Sequence, residues 1–476
     1  MISFILNDRK YTTELPPGAV TLDLLRSEAG MTGTREGCRE GDCGACTVLL
    51  GIPTQQGTKY MAVNSCILPV GELRGRHLVT IEGVNPKEGL SPIQQIIVEE
   101  GASQCGFCTP GLIMSLTGYL LGTVDPDDVE AVGSVAGNIC RCTGYVSIKK
   151  AAETVSVKIG HSPAECCYSR KHLEWLVEKE ILPSYFLEIE LMLQAMNDGE
   201  SNGFEVNTSE HAVTVAGGTD LFAVKTEELR NTELRFLSRE TGMNGIDILE
   251  NKVLLGARAT VRDIIDSGIF SNSGNLERSL ELIASAQVRN RATVGGNIIN
   301  ASPIGDLIII FLALDARLSI TGGSDQREVQ LKDFFSGYKV FDLSPGELLK
   351  SLEYTAPDSS TLINFEKVAM RKHLDIASVN SAAAFRINSG KIEKADISAG
   401  GVAPIPLYLE KTSAVLTGME VSTDTAQLAV RTACCEVSPI DDVRGSAEYK
   451  KLLLGKLIAA HFVELFPQQI DVEDLL

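Results

Sequence analysis

The chain of 476 residues is 44% hydrophobic and 22% charged, which provides cores for about three domains and argues against extended disorder. Sixty-two acidic against 43 basic side chains leave a formal charge of −19, which argues against nucleic acid or anionic membrane as the main partner. The longest apolar run, Leu307–Leu314, falls far short of the roughly 20 residues a membrane span needs. The N-terminal stretch MISFILNDRKYTT lacks the pattern of a secretory signal, so a soluble, cytoplasmic protein is expected.

In chain order, the first segment reads as strands. Ile2, Phe4 and Leu6 alternate with polar residues, Asn7-Asp8 signals a turn, and Tyr11–Leu15 resumes in extended style. Thr21 to Glu28 predicts a short amphipathic helix closed by Gly30. A glycine-dotted loop, the strand Thr47–Leu50, another leading into Cys66, and Leu78–Ile81 precede a break at Gly83–Pro86. The pattern then turns helical. Ser91-Pro92 opens one helix, Thr109-Pro110 a second, Asp127 a third that runs towards Cys140, and Ser147 a fourth that reaches Val157. The next stretch, to about Ser184, has no continuous core pattern and reads as a linker with one helix near His172–Ile181. Strands and helices alternate from there, with Gly-Gly turns at Gly217 and Gly295 and a terminal helix over Tyr449–Phe462.

Twelve cysteines are many for a reducing compartment, where disulfide frameworks are rare. Eight lie between Cys38 and Cys142. Cys38-x4-Cys43-x2-Cys46, followed by Cys66, has the plant-type ferredoxin spacing for a 2Fe–2S cluster. Glycines 37, 41 and 44 suit a loop that wraps closely and turns backbone N–H groups towards sulfur. The second quartet, Cys105-x2-Cys108 with Cys140-x-Cys142, leaves zinc and iron–sulfur both open by spacing alone. The vicinal pairs Cys166-Cys167 and Cys434-Cys435 read as ordinary free thiols.

No Gly-x-Gly-x-x-Gly or Walker A sequence occurs, so neither a Rossmann nor a P-loop site is supported. Two glycine turns after extended segments, Val215-Ala-Gly-Gly-Thr-Asp220 and Thr293-Val-Gly-Gly-Asn297, each supply consecutive amides and a hydroxyl suited to phosphate.

Gln104-Cys-Gly-Phe-Cys-Thr-Pro-Gly111 and Gly137-Asn-Ile-Cys-Arg-Cys-Thr-Gly-Tyr145 resemble the second-cluster signatures of the xanthine dehydrogenase family of molybdenum hydroxylases. Gln287–Asp306, Phe334–Tyr338, Lys367–Ala377 and Val-Ala-Gly-Gly-Thr-Asp-Leu resemble the same family's FAD-binding segments. The resemblance implies an α+β multidomain chain. Its parts would be a β-grasp 2Fe–2S ferredoxin-like domain (1–84), a four-helix 2Fe–2S domain (85–158), a linker (159–184), a vanillyl-alcohol-oxidase-like, PCMH-type FAD domain (185–358) and a C-terminal α/β cap (359–476).

It also implies which residues act. Cys38, Cys43, Cys46 and Cys66 would hold one cluster, and Cys105, Cys108, Cys140 and Cys142 the other. FAD would contact Thr214, Val215, Ala216, Gly217, Gly218, Thr219, Asp220, Leu221, Ile283, Thr293, Val294, Gly295, Gly296, Asn297, Asp306, Leu349 and Lys367. The glycine turns would hold the pyrophosphate, Asp306 a ribityl or ribose hydroxyl, and Lys367 would bring positive charge to the flavin. Ile283 stands where the family commonly has an aromatic, and Leu374 where some members have an acid. Tyr338 and Asp375 would border nicotinamide access. Because the chain stops at Leu476 with no molybdopterin domain, it reads as the separate iron–sulfur/FAD subunit of a xanthine dehydrogenase-like enzyme. Molybdopterin would sit only on a large partner subunit, in a heterotetramer of two small and two large chains, and NAD would be the co-substrate. The alternatives are an aldehyde or N-heterocycle hydroxylase, or a module with a non-nicotinamide acceptor.

Overall fold

The computed structural model describes residues 1–199, 209, 211–240, 242–271, 273, 275–323, 325–371 and 373–475. The fold is α+β and divides into two compact units, Met1–Arg239 with Ser285–Arg291, and Glu240–Ala284 with Ala292–Leu476. Of the flavin domain expected over 185–358, residues 200–208 lie outside the described set.

The first unit opens with a five-stranded mixed sheet. Its strands are β1 (Ile2–Leu6), β2 (Arg9–Thr13), β3 (Thr47–Thr54), β4 (Gly57–Asn64) and β5 (His77–Val79), in the order β2-β1-β5-β3-β4. β1 and β5 run parallel and the other pairs antiparallel, as in a β-grasp. Phe4, Leu6, Val48, Leu50 and Leu78 fill the inner face. The helix expected from Thr21 widens into a π-helical turn over Leu24–Glu28, where the Ala29 amide donates to Leu24 O.

Helices Pro92–Glu99, Thr109–Gly122, Asp128–Ser134 and Val146–Ile159 form the second module. Ser91 caps the first through a reciprocal bond with Gln94. The third helix stops at Ser134, short of the expected approach to Cys140, because the chain beyond it turns, with Asn138 N–H bonding Val135 O and Ile139 N–H bonding Cys43 O. The stretch expected as a linker is packed. Ser169 caps a helix over Arg170–Glu178, and Leu173, Trp175, Leu176, Ile181 and Leu182 enter the helical module's core. His172 is buried there, bonded to Leu120 O and Ser162 Oγ at 2.9 Å each. Its charged neighbours had hidden that apolar face. The segment Val213–Leu234 also belongs to this unit, with Val215, Phe222, Leu229 and Leu234 packed on Cys46, Cys66 and Ile67.

The second unit contains a five-stranded antiparallel sheet in the order 325–330, 317–322, 348–355, 252–256 and 246–249. It also has a four-stranded antiparallel sheet of Thr361–Val368, Val379–Asn388, Lys391–Gly400 and Leu407–Tyr408. The apolar run is the fully buried helix Asp306–Ala313, which packs on the second sheet's Val379–Asn388 and Lys391–Gly400 strands. Helices Thr423–Glu436 and Ala447–Leu465 close the C-terminal layer. No described helix is long and apolar enough to cross a membrane.

Candidate functional site

The first quartet lies in the loop between the π-helical turn and β3, with Cys66 just after β4. Cys46 and Cys66 are buried, and Cys38 and Cys43 partly so. The amides of Asp42 and Cys43 donate to Cys38 Sγ at 3.3 Å and that of Glu40 at 3.5 Å, while the Cys38 amide reaches Cys43 Sγ at 3.4 Å. Such donors favour a thiolate. Hydrogen bonding couples the thiols in twos, Cys38 with Cys43 and Cys46 with Cys66, with a further bond from Cys38 to Cys66. It holds Cys38 and Cys46 below the usual thiol range and pushes Cys43 and Cys66 above it. Close wrapping requires the glycines here. A Cβ on Gly37 would sit 2.6 Å from Cys43 Sγ, and Gly44 takes φ +66° against the backbone of Gly137.

The second quartet joins the loop 105–108 to the segment 140–142. Cys108 and Cys140 are buried and Cys105 and Cys142 exposed. Again the thiols are coupled in twos, Cys105 with Cys142 and Cys108 with Cys140. Burial first, then the Cys140 bond, pushes Cys108 up to about 12. Thr143 Oγ1 donates to Cys140 Sγ at 3.2 Å, and the Cys140 amide donates to the Tyr145 hydroxyl at 3.0 Å. Among the described residues no three Cys, His or carboxylate side chains converge on a single-ion site. Two-plus-two pairing suits a 2Fe–2S cluster, in which each iron takes two protein sulfurs and two bridging sulfides.

The two quartets meet through backbone. The Ile139 amide donates to Cys43 O and Asn138 Nδ2 to Gly44 O, both at 2.9 Å. Asn138 Oδ1 in turn accepts from Ser115 Oγ at 2.8 Å and Gln287 Nε2 at 3.2 Å, all three side chains buried. One buried polar chain thus links the ferredoxin loop, the helical module and the segment 285–291.

Of the residues expected to contact flavin, Thr214–Leu221 lie in the first unit and the rest in the second. Among the described residues, no acceptor pairs with the N–H groups of Ala216, Gly217, Gly218, Thr219, Asp220 and Leu221. Gly217 and Gly218 are themselves buried, and Gly218 takes φ +73°. Buried amides are nearly always paired, so this row fits an anionic ligand such as a pyrophosphate.

The second glycine turn differs from expectation. Thr293 caps a short helix over Val294–Asn300, and the amides of Val294 to Asn297 are all taken. Val294 N–H donates to Ala259 O, Gly295 to Ala257 O, Gly296 to Thr293 Oγ1 and Asn297 to Thr293 O. Gly295 serves close packing: a Cβ there would meet Ala257 at 2.8 Å. What this turn offers a ligand is instead Asn297 Oδ1, buried and without a hydrogen-bond partner among the described residues.

Asp306 and Lys367 form a buried ion pair at 2.8 Å, with side chains 11% and 6% exposed. Asn380 Nδ2 donates to the other Asp306 oxygen at 2.6 Å, and Lys367 also reaches Leu282 O at 3.4 Å. The lysine's charge is therefore neutralised by the acid expected to hold a hydroxyl. Ile283 and Leu349 are buried in the apolar core beside them. Tyr338 is exposed on a two-stranded hairpin, and Asp375 accepts the Arg371 amide at 2.9 Å. Cys166 and Cys167 are half-buried, Cys166 Sγ donating to Gln56 Oε1 at 3.6 Å, and Cys434 bonds Lys451 O from the helix Thr423–Glu436.

Sequence reasoning passed over Arg291 and Glu72. Arg291 donates from Nε and Nη2 to Gly217 O at 3.1 and 2.9 Å, and its Nη1 lies 3.6 Å from Glu72 Oε2. Glu72 also receives Arg76 Nη1 at 2.5 Å and Ser238 Oγ at 2.9 Å. Against the cost of burial, Arg76 and Arg291 hold its carboxyl down to about 2. An arginine just before a glycine turn was the available signal for Arg291. Glu72 had none.

Two paired thiol quartets and an amide-lined glycine loop define an iron–sulfur flavoprotein that transfers electrons. The chain matches, in order, the 2Fe-2S iron-sulfur cluster binding domain (residues 4–70), the 2Fe-2S binding domain (80–153), the FAD binding domain in molybdopterin dehydrogenase (202–354) and the CO dehydrogenase flavoprotein C-terminal domain (365–465). It therefore belongs to the molybdenum hydroxylase family, as an iron–sulfur/FAD module of that family. Xanthine dehydrogenase of Emericella nidulans is 29% identical over 90% of this chain and 36% of its own length. That of Oryza sativa subsp. japonica is 31% identical over 85% and 35%. The chain thus spans about a third of the length of these relatives. Reconstituted CO dehydrogenase from Oligotropha carboxidovorans is similar at TM-score 0.51 and 28% identity, over 53% of this chain and 89% of that one. A Hydrogenophaga pseudoflava carbon monoxide dehydrogenase lacking the Mo-pyranopterin moiety gives 0.52 and 26%, over 56% and 93%.

Proposed function

We propose that this chain is the electron-transfer component of a xanthine dehydrogenase-like enzyme, working with a molybdopterin-binding partner subunit in a two-plus-two heterotetramer and with NAD⁺ as final acceptor. Cys38, Cys43, Cys46 and Cys66 hold one 2Fe–2S cluster, and Cys105, Cys108, Cys140 and Cys142 the other. In the first unit, FAD is held by the glycine loop Thr214–Leu221. When bound, the clusters carry single electrons and the flavin pairs them for hydride transfer.

The observation that carries the reading is the contiguity of the two thiol quartets and the glycine loop within the first unit. Exposed Cys105 and Cys142 offer an entry edge, and buried Cys108 and Cys140 lie behind them. The Ile139 amide then reaches the Cys43 carbonyl, and Cys46 and Cys66 pack against Val215 and Phe222 of the glycine loop. The chain's own residues exclude water along that line and aim N–H groups at the sulfurs and at the loop's ligand. A similar CO dehydrogenase chain covered to 93% supports a flavin module on a chain of its own. The names of the relatives support a purine substrate.

Anaerobic addition of NADH to the isolated, flavin-loaded chain tests the proposal. Bleaching of the flavin followed by reduction of both clusters is expected, with xanthine oxidation only once a molybdenum protein is added. Xanthine turnover by the isolated chain would overturn the subunit assignment. A flavin inert to NADH would favour a quinone or protein acceptor.

A further inference from the structure

The glycine loop Val215–Leu221 has no strand neighbours beyond Val215 to fix its peptide planes, yet its row of unpaired amides is useful only if those planes are set. One contact sets them. The Arg291 guanidinium forks onto the Gly217 carbonyl with two donors, so that peptide can neither rotate nor tilt without losing both bonds. In a trans peptide the C=O and the following N–H point in opposite directions. The Gly218 amide is accordingly turned away from Arg291. Gly218 is free to follow because its φ of +73° suits glycine, while the approach of Phe222 and Val215 closes the space a side chain would need.

Arg291 is itself held. Its side chain is 7% exposed and that of Glu72, in the 3-10 turn Val70–Leu73 before β5, is 1% exposed. A buried guanidinium needs a counter-charge, and Glu72 is the carboxylate beside it. Arg76 and Ser238 complete the carboxylate's bonds without touching Gly217.

We propose that Arg291, oriented by Glu72 of the ferredoxin-like module, is a positioning residue that sets the Gly217–Gly218 peptide so that the loop amides face the phosphates of the dinucleotide. The ferredoxin module is then a template for flavin binding as well as an electron carrier. The inference rests on the FAD reading above.

Its test is FAD titration of the deflavinated full-length chain, followed by flavin fluorescence, with iron content and the reduced-cluster paramagnetic signals measured in parallel. Arg291→Lys keeps the charge and loses the fork, and should raise the FAD dissociation constant tenfold or more with both cluster signals unchanged. Glu72→Gln should weaken binding severalfold, and should add nothing in the Arg291→Lys background, because it acts through that arginine. Arg76→Lys, which perturbs the same carboxylate without touching the loop, should bind FAD as the natural chain does. Unaltered affinity in Arg291→Lys would overturn the proposal. Equal weakening by Arg76→Lys, or parallel loss of clusters and flavin in both Arg291→Lys and Glu72→Gln, would also overturn it by making the network merely structural. Failure of the unsubstituted chain to take FAD would instead sink the functional reading, and this inference with it.

Discussion

Gly44→Ala probes the junction of the two thiol quartets. Gly44 sits between Cys43 and Cys46 at φ +66°, and an added Cβ would lie 2.3 Å from Gly137 O and 2.6 Å from Asn138 Nδ2. The left-handed backbone alone costs an alanine about 1 kcal/mol. Overlap with a backbone carbonyl cannot be relieved by a rotamer change, so the loops must separate by most of an ångström. That strains the Asn138–Gly44 and Ile139–Cys43 bonds, each contributing about 1 kcal/mol. Adding overpacking strain of about 1–3 kcal/mol, the substitution should destabilise the first unit by about 4 kcal/mol or more, a large share of a typical domain's 5–15. Gly101→Ala is the matched control, since Gly101 has φ +63° and nothing within 4 Å of the added atom. Thermal loss of the clusters' visible absorption should begin about 10 °C lower for Gly44→Ala than for Gly101→Ala. Equal midpoints for the two variants would refute the argument that these loops are locked together.

Three further outcomes are expected. Cys140→Ser should halve iron and acid-labile sulfide and abolish one paramagnetic signal of the reduced protein, whereas zinc at the second quartet would appear in elemental analysis as iron for one cluster plus zinc. Lys367→Met leaves the Asp306 carboxylate buried without its cation and should cost about 3–5 kcal/mol in denaturant unfolding, largely recovered in the Asp306→Asn, Lys367→Met double variant. His77 and His461 are fully buried and neutral, and burial lowers both to about 3. Each is depressed in the folded state, so the unfolded chain binds the extra proton between about pH 3 and pH 6.5. Stability should therefore be complete above about pH 6.5 and fall steadily towards pH 3, and His461→Gln should flatten that slope by up to the order of 4 kcal/mol at the acid end.

The cluster-bearing half was legible because its chemistry is local. Cys38, Cys43 and Cys46 lie within one loop, so spacing alone carries the geometry, and the glycines among them follow from the close wrapping of that loop. The glycine turns were ambiguous because a Gly-Gly pair reads the same whether its amides are free, as at Gly217–Gly218, or spent on a Thr293 cap and Ala257, as at Gly295–Gly296. Only the partners of those amides separate the cases, and the partners come from residues far along the chain. The helix Arg170–Glu178 was expected, but its packing was masked by its charges: Leu173, Trp175 and Leu176 face a core built from residues some fifty positions back, and Leu120 O and Ser162 Oγ meet His172. Lys367 was expected to bring positive charge to the flavin, and only its distance to Asp306, sixty-one residues earlier, shows that charge matched by a carboxylate. Glu72 and Arg291 stand more than two hundred residues apart, and no periodicity links them.

The packing of Val215, Phe222, Leu229 and Leu234 over Cys46 and Cys66 has a consequence for biogenesis. Once that segment docks, two thiols of the ferredoxin loop are sealed from any donor of iron and sulfide. Cys105 and Cys142, by contrast, remain on the surface of the folded chain. The order of docking therefore matters for the first quartet, two of whose thiols the segment covers, more than for the second, which keeps two of its four thiols in reach of solvent in the folded chain.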